Sequence, residues 1–356
     1  MIRWRVNFRS WIKNRWFARQ KLLVIHAGTH KTATTYIQNR LGANRQLLRD
    51  QGVFLLSHGV NKVGRFYRLA TILKEKNFHK VKQIFDSVPE DVNQVVLSDE
   101  RLTMVLIQDE LRNGLLKAAK KAGFRLRIVF FLRDQPDYIN SLYVQEIKRL
   151  YHAQSIHRYT KRCMTKKADR FDYNSMFANL LNQPEIESQF LPFGVGDADP
   201  FEAFMEAQGW RHAQGWQPAS EATINTQPGM KGVWLARMVR HRLEKQRANL
   251  KHVRGQSRFV DKYARRNQWM KQRFYGLNQT KVDLIRDFYK SGNDMFAQKV
   301  WRKDWDEIYK RPTRNMNMFK LSSLRDRKQK RYMIKLINQV LVDIKRDKPV
   351  VFECHS

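Results

Sequence analysis

Residues 124–132 read FRLRIVFFL, a run that turns wholly apolar from Ile128 onward and lies between Gly123 and the charged pair Arg133–Asp134. A strand apolar on successive residues needs cover on both faces, as in a parallel sheet sandwiched by helices. Residues 21–27 (KLLVIHA), 52–57 (GVFLLS) and 93–98 (NQVVLS) have the same character, and 189–193 (QFLPF) is a later candidate. Between them, 34–48, 65–85, 108–122 and 138–150 carry apolar residues at helical spacing. Gly123 suits the end of the third of these helices. The alternation predicts an α/β fold: a central parallel sheet flanked by helices. Helices are further expected over 200–208, 230–248 and 282–301. An amphipathic helix built on Met333, Ile334, Leu336, Ile337, Val340, Leu341 and Ile344 is expected within 311–348. The simplest partition is a basic N-terminal extension over 1–20, one α/β domain over 21–310 and a basic C-terminal extension over 311–356.

The first strand runs into HAGTHKTATTYIQ, residues 26–38, and a helix follows. Gly28, Lys31, Thr32, Thr34 and Thr35 therefore fall where a loop becomes a helix N-terminus. Main-chain N–H groups there have no helical acceptor, and the helix dipole favours an anion. A lysine and three hydroxyls complete a phosphate cradle. The spacing is not that of a Walker A loop, which places Gly-Lys-Ser/Thr after a first glycine and four residues. A plain strand-to-helix turn with a threonine cap is the competing reading.

Lys31 to Thr35, KTATT, resembles the 5′-phosphosulfate loop of the sulfotransferases that use 3′-phosphoadenosine 5′-phosphosulfate (PAPS), often written PKTGTT. Ala33 stands in place of the usual glycine and His30 in place of the usual proline. An alanine at positive φ is strained, so Ala33 is expected in a helical or extended well. The family's second motif is an arginine closing a central strand with a serine eight residues later, and it contacts the 3′-phosphate. Arg133 and Ser141 match it in RDQPDYINSLY. The likeness covers 21–60 and 93–150 and continues more faintly to about 305, as in bacterial carbohydrate-type sulfotransferases. It implies a P-loop-like sulfotransferase domain that binds PAPS through Gly28, Thr29, His30, Lys31, Thr32, Ala33, Thr34, Thr35, Arg133 and Ser141.

The reaction so implied moves a sulfuryl group from PAPS to an acceptor hydroxyl and leaves adenosine 3′,5′-bisphosphate. Lys31 is expected on the leaving phosphate and the transferring group. The resemblance points to Glu100, in SDERL after the third strand, as the base. His58, just after VFLLS, is the rival, since other branches of the family use histidine. No metal is required, and His79, His152, His157 and His212 lack ligand spacing.

The formal net charge is +35, and no acidic residue precedes Asp50. Such a field attracts polyanions of every kind: nucleic acid, anionic lipid or acidic polysaccharide. With the family likeness, it points to a carbohydrate acceptor, either an acidic polysaccharide or a glycolipid. Arg240, Arg242, Lys245, Arg247 and Lys251 either line an acceptor groove or form a solvated helix face. Trp4, Phe8, Trp11, Trp16 and Phe17, interleaved with bases, fit a helix on an anionic membrane surface and equally a basic extension docked on its own domain. Cys163 and Cys354 give no disulfide framework and fit a reducing compartment. The expected location is cytoplasmic, with peripheral contact to the inner membrane surface. Two alternatives remain: a P-loop kinase using ATP, which the Lys31 spacing and the Arg133/Ser141 pair oppose, and a nucleic-acid or polyanion-binding protein. No helix-turn-helix, RNP signature or zinc finger supports nucleic acid.

Overall fold

The computed structural model describes residues 20–29, 31–57, 64–66, 68–165, 168–210, 215–218, 227–246, 253, 255–310 and 315–347. The chain forms two compact units. The first comprises Met1–Asp134, Asp169–Asn225 and Tyr289–Arg311; the second comprises Gln135–Ala168, Thr226–Phe288 and Pro312–Ser356.

The first unit is α/β. Five strands, β1 (Lys21–His26), β2 (Val53–Leu55), β3 (Gln94–Ser98), β4 (Phe124–Arg133) and β5 (Ile186–Phe193), form one sheet in the order β2-β3-β1-β4-β5. Every pairing is parallel. Ile25 of β1 is in register with Leu97 of β3 and Ile128 of β4. The apolar runs follow from this sandwich. Leu23, Ile25, Val95, Leu97, Ile128 and Phe130 face one core with Leu69, Val81, Phe85, Leu115, Phe177 and Phe296. Leu22, Val24, Val96, Val129 and Phe131 face another with Ile37, Leu41, Phe201 and Phe204. A fully buried Leu, Val or Phe side chain contributes about 1.5–3 kcal/mol, so the two-sided pattern fixes which residues can be strand.

Two expected helices are broken. The 34–48 segment forms Thr34–Ala43 and Arg45–Asp50, split at Asn44. The Asn44 amide donates to the carbonyls of Arg40 at 2.8 Å and Gln217 at 3.0 Å, and its oxygen accepts the Gln217 N–H at 2.6 Å. Such a side chain competes with the helix for main-chain partners. The 65–85 segment forms Arg68–Lys74 and Phe78–Asp86. Lys76 turns left-handed at φ 54°, and Asn77 caps the second helix by accepting the Lys80 N–H at 3.0 Å.

The second unit is helical. It contains Gln135–Lys148, Ile156–Thr165, Gly229–Lys245, Ser257–Arg266 and Arg327–Asp347. The last of these buries Met333, Leu336, Ile337, Val340, Leu341 and Ile344 and packs on the Gly229–Lys245 and Ser257–Arg266 helices. Ile334, expected on that apolar face, is exposed instead. Among the described residues no helix is long and apolar enough to cross a membrane.

Candidate anion-binding site

In the order β2-β3-β1-β4-β5, the chain leaves β1 for one side of the sheet and later returns to β4 on the other. The carboxyl edge between β1 and β4 is therefore a topological switch point, where open α/β sheets bind ligands. The loop after β1 crosses this edge and is tied to both neighbours. On the β4 side, the Thr29 hydroxyl donates to Phe131 O at 2.7 Å, and Arg133 Nη1 donates to Lys31 O at 3.1 Å. On the β3 side, the Thr103 hydroxyl donates to the carbonyl of Ala27, with that of Gly28 at 3.1 Å.

The loop backbone is left-handed at Lys31, with φ 72°, and at Ala33, with φ 57° and ψ 20°. The expectation that Ala33 avoids positive φ is thus overturned. Each such non-glycine residue costs about 1–2 kcal/mol, so the surroundings must impose the conformation. They do so at both ends. The Thr32 hydroxyl closes a turn on Thr29 O at 2.5 Å, and Ala33 O accepts the Ile37 N–H at 3.0 Å as the first bond of the Thr34–Ala43 helix. Left-handed Ala33 followed by helical Thr34 points successive N–H groups into one concavity, a nest suited to an anion. The free first-turn amides of the helix adjoin it.

The cradle hydroxyls divide into two kinds. Those of Thr29 and Thr32 face inward onto carbonyls, so these residues offer an anion their main chain rather than the side-chain donors expected of Thr32. Thr34 is buried, and its Oγ1 has no hydrogen-bond partner. Close by is Nε2 of His26, also buried and without a partner, while Nδ1 of that ring lies 2.8 Å from Ser98 Oγ. Both orphan atoms face Gly28, where an added Cβ would sit 2.7 Å from Thr34 Oγ1 and 2.9 Å from His26 Nε2. Burial pushes the His26 pKa down to about 3, so the ring is neutral.

Arg133 closes β4. Its guanidinium lies 5.5 Å from the centre of the Phe193 ring, across from it in the β4–β5 register. The end of the strand is held from behind: Tyr173 donates to Arg133 O at 2.7 Å, Tyr309 to Leu132 O at 2.5 Å, and Trp305 Nε1 to Asp134 Oδ1 at 3.1 Å. Sequence reading missed this support. Its members lie between 40 and 177 residues from their partners, and no local pattern marks them.

Glu100 begins a single 3-10 turn, Glu100–Leu102, after β3 and is half-buried. Asp99 caps that turn by accepting the Arg101 N–H at 3.0 Å, and it also takes two bonds from the Arg101 guanidinium. Asp99 is wholly buried, and desolvation raises its pKa against those bonds. Gln38, a fully buried polar residue of the Thr34–Ala43 helix, donates to Glu100 Oε2 at 3.2 Å and Ser98 O at 3.3 Å, and it accepts from Arg65 Nε at 2.9 Å. Its signal was visible in the sequence: a glutamine one helical turn after Thr34, among apolar positions.

The first unit thus gathers Gly28, Thr29, Lys31, Thr32, Ala33, Thr34, Thr35 and Arg133 at one edge, with Glu100 linked to the same helix through Gln38. Ser141 belongs to the second unit, buried on the Gln135–Lys148 helix. His30 and His58 lie outside the described residues. Of the basic cluster in the second unit, Arg240 is buried, donating to Leu150 O at 2.7 Å and to Glu244 at 2.8 Å. It is neither a groove lining nor a solvated base, because its side chain closes a main-chain carbonyl inside the unit. Arg247 and Lys251 lie outside the described residues. Among the described residues no group of His, Cys, Asp or Glu could hold a metal ion.

Comparison with known protein families, curated proteins and solved structures finds no match to the chain.

Proposed function

We propose that the chain is a sulfotransferase that takes the sulfuryl group from PAPS and places it on a hydroxyl of a carbohydrate acceptor, an acidic polysaccharide or a glycolipid. The observation that carries this reading is the bond from Arg133 to the Lys31 carbonyl at the switch point of the sheet. It sets a phosphate-type fork of donors beside an anion-binding loop, as one nucleotide with two phosphate ends requires. Ala33 holds a left-handed backbone, one that a glycine, usual at this position of the motif, is free to adopt.

In this reading the N–H groups from Lys31 to Thr35 hold the 5′-phosphosulfate, with the Thr34 and Thr35 hydroxyls beside them. Lys31 stabilises charge on the departing phosphate oxygen. Arg133 takes the 3′-phosphate. Glu100 removes the acceptor's hydroxyl proton. The acceptor oxygen bonds to sulfur while the bond from sulfur to the phosphate oxygen breaks, and that oxygen keeps the electron pair.

Thermal melts test the donor site. Adenosine 3′,5′-bisphosphate is expected to raise the melting temperature more than ATP at equal concentration. The reverse order would favour a kinase. Lys31→Ala is expected to abolish transfer from labelled PAPS with the fold intact, and unchanged turnover in that variant overturns its role.

A further inference from the structure

The positive charge is unevenly shared between the units. The second unit has 34 lysines and arginines against 10 acids, a net +24 of the chain's +35. Within it, the Arg327–Asp347 helix opens on bases, against its own dipole. Arg327, Lys328 and Lys330 fill its first turn with no acid among them, Arg331 and Lys335 follow, and Asp343 and Asp347 lie at the other end beside Lys345 and Arg346. Bases at an N-terminus and acids at a C-terminus are each unfavourable. The acids have an internal explanation. Asp347 pairs with Arg258, and Asp343 pairs with Lys262 at 2.8 Å, both from the Ser257–Arg266 helix. The bases have none: among the described residues no ion pair reaches Arg327, Lys328, Arg331 or Lys335, and all four are exposed. Asp326 sits at that end, with its carboxylate accepting the Lys328 N–H at 2.8 Å.

At 3.6 residues per turn, Lys328, Arg331, Lys335 and Val342 fall within about 60° of one another, opposite the buried Met333 and Val340. Val342 is 43% exposed, Ile334 41% and Tyr332 45%. The outward face therefore mixes unpaired bases with the aliphatic Val342, flanked by Ile334 on one side and on the other by Tyr332, whose hydroxyl donates to Asn267 Oδ1 at 2.7 Å. A polysaccharide or nucleic acid would satisfy the bases and leave Val342 and Ile334 in water. The headgroup region of an anionic bilayer takes both kinds of group. We propose that the outward face of the Arg327–Asp347 helix docks the protein on anionic lipid.

Flotation of the full chain with phosphatidylcholine vesicles, with and without phosphatidylglycerol, tests this. Binding is expected only with phosphatidylglycerol and is expected to weaken as salt rises. The quadruple variant Arg327→Glu, Lys328→Glu, Arg331→Glu, Lys335→Glu is expected to lose about a thousandfold in partitioning, at about 1 kcal/mol per base. The same variant is expected to melt higher than the parent, because acids then meet the helix N-terminus, so loss of binding cannot be ascribed to unfolding. A control reverses Lys74, Lys80, Lys117 and Lys121, exposed bases of the first unit. It is expected to retain most of the binding. Equal losses in both variants overturn the proposal, as bulk charge then suffices. Failure to bind phosphatidylglycerol vesicles, with tight binding to heparin lost in the quadruple variant, overturns it in favour of a polysaccharide. Neither outcome bears on sulfuryl transfer, which is read separately from labelled PAPS.

Discussion

The guanidinium of Arg133 donates to the main-chain carbonyl of Lys31 across 3.1 Å, joining the end of β4 to the loop after β1. The same guanidinium lies 5.5 Å from the centre of the Phe193 ring. Arg133→Lys retains the charge and removes the fork. Charge-assisted hydrogen bonds contribute about 1.5–3 kcal/mol. The variant is therefore expected to bind adenosine 3′,5′-bisphosphate roughly 10- to 100-fold more weakly by calorimetry. Unchanged affinity would remove Arg133 from the nucleotide site.

Ala33 holds a conformation that suits glycine. Ala33→Gly relieves about 1–2 kcal/mol of left-handed strain and adds about 0.5–1 kcal/mol of unfolded-state entropy. The net expectation in urea unfolding is a variant more stable by up to about 1.5 kcal/mol. Ala33→Val, β-branched at the same φ, is expected to destabilise. If the glycine variant proves clearly less stable, the left-handed loop is not the solution conformation.

Gly28 faces two buried polar atoms rather than a special φ. Gly28→Ala places a methyl group 2.7 Å from Thr34 Oγ1 and 2.9 Å from His26 Nε2. Overpacking of this kind costs about 1–3 kcal/mol. Adding Thr34→Ala removes one of the clashing atoms, so the double variant is expected to lose less than the sum of the single losses. Strict additivity in unfolding experiments would contradict the packing around Gly28.

The strands were legible because burial on both faces leaves a one-dimensional trace: apolar runs without alternation over 22–25, 95–97 and 128–132. The loop after β1 was legible as a strand-to-helix junction rich in glycine, lysine and threonine. Its backbone was not. Ala33 is left-handed because Thr29, Thr32 and Ile37 pin the chain around it, and residue preference alone gives the opposite expectation. Distance in sequence concealed the rest. Asn44 breaks a helix for the sake of Gln217, and Tyr309 braces a carbonyl 177 positions earlier. Arg240 sits in a basic run yet is buried, since its partner is a main-chain carbonyl that charge patterning cannot reveal.

Glu100 meets the loop helix at Gln38, whose amide donates to it at 3.2 Å. Glu100→Gln keeps the shape and loses the basic oxygen. It is expected to lower kcat by about 10²–10⁴ with donor affinity unchanged. Gln38→Ala is expected to raise KM for the acceptor or lower kcat more modestly, because it frees Glu100 without removing it. If His58→Ala produces the large kcat loss and Glu100→Gln does not, the base is His58.

His26 supplies a prediction that needs no substrate. Its pKa is about 3 in the folded chain, against 6.5 for an unperturbed histidine, because burial keeps the ring neutral. Below pH 6.5 the unfolded chain takes up a proton that the folded chain refuses. Its burial therefore costs nothing above pH 6.5 and costs stability progressively as the pH falls toward 3. The slope approaches about 1.4 kcal/mol per pH unit. His26→Gln keeps a polar group beside Ser98 and cannot titrate. Between pH 6.5 and 5, above the range where most carboxylates titrate, the variant's unfolding free energy is expected to fall less steeply than the parent's. Parallel curves across that window would mean that His26 gains a proton without cost, and that the ring is not sealed behind Gly28 as the geometry has it.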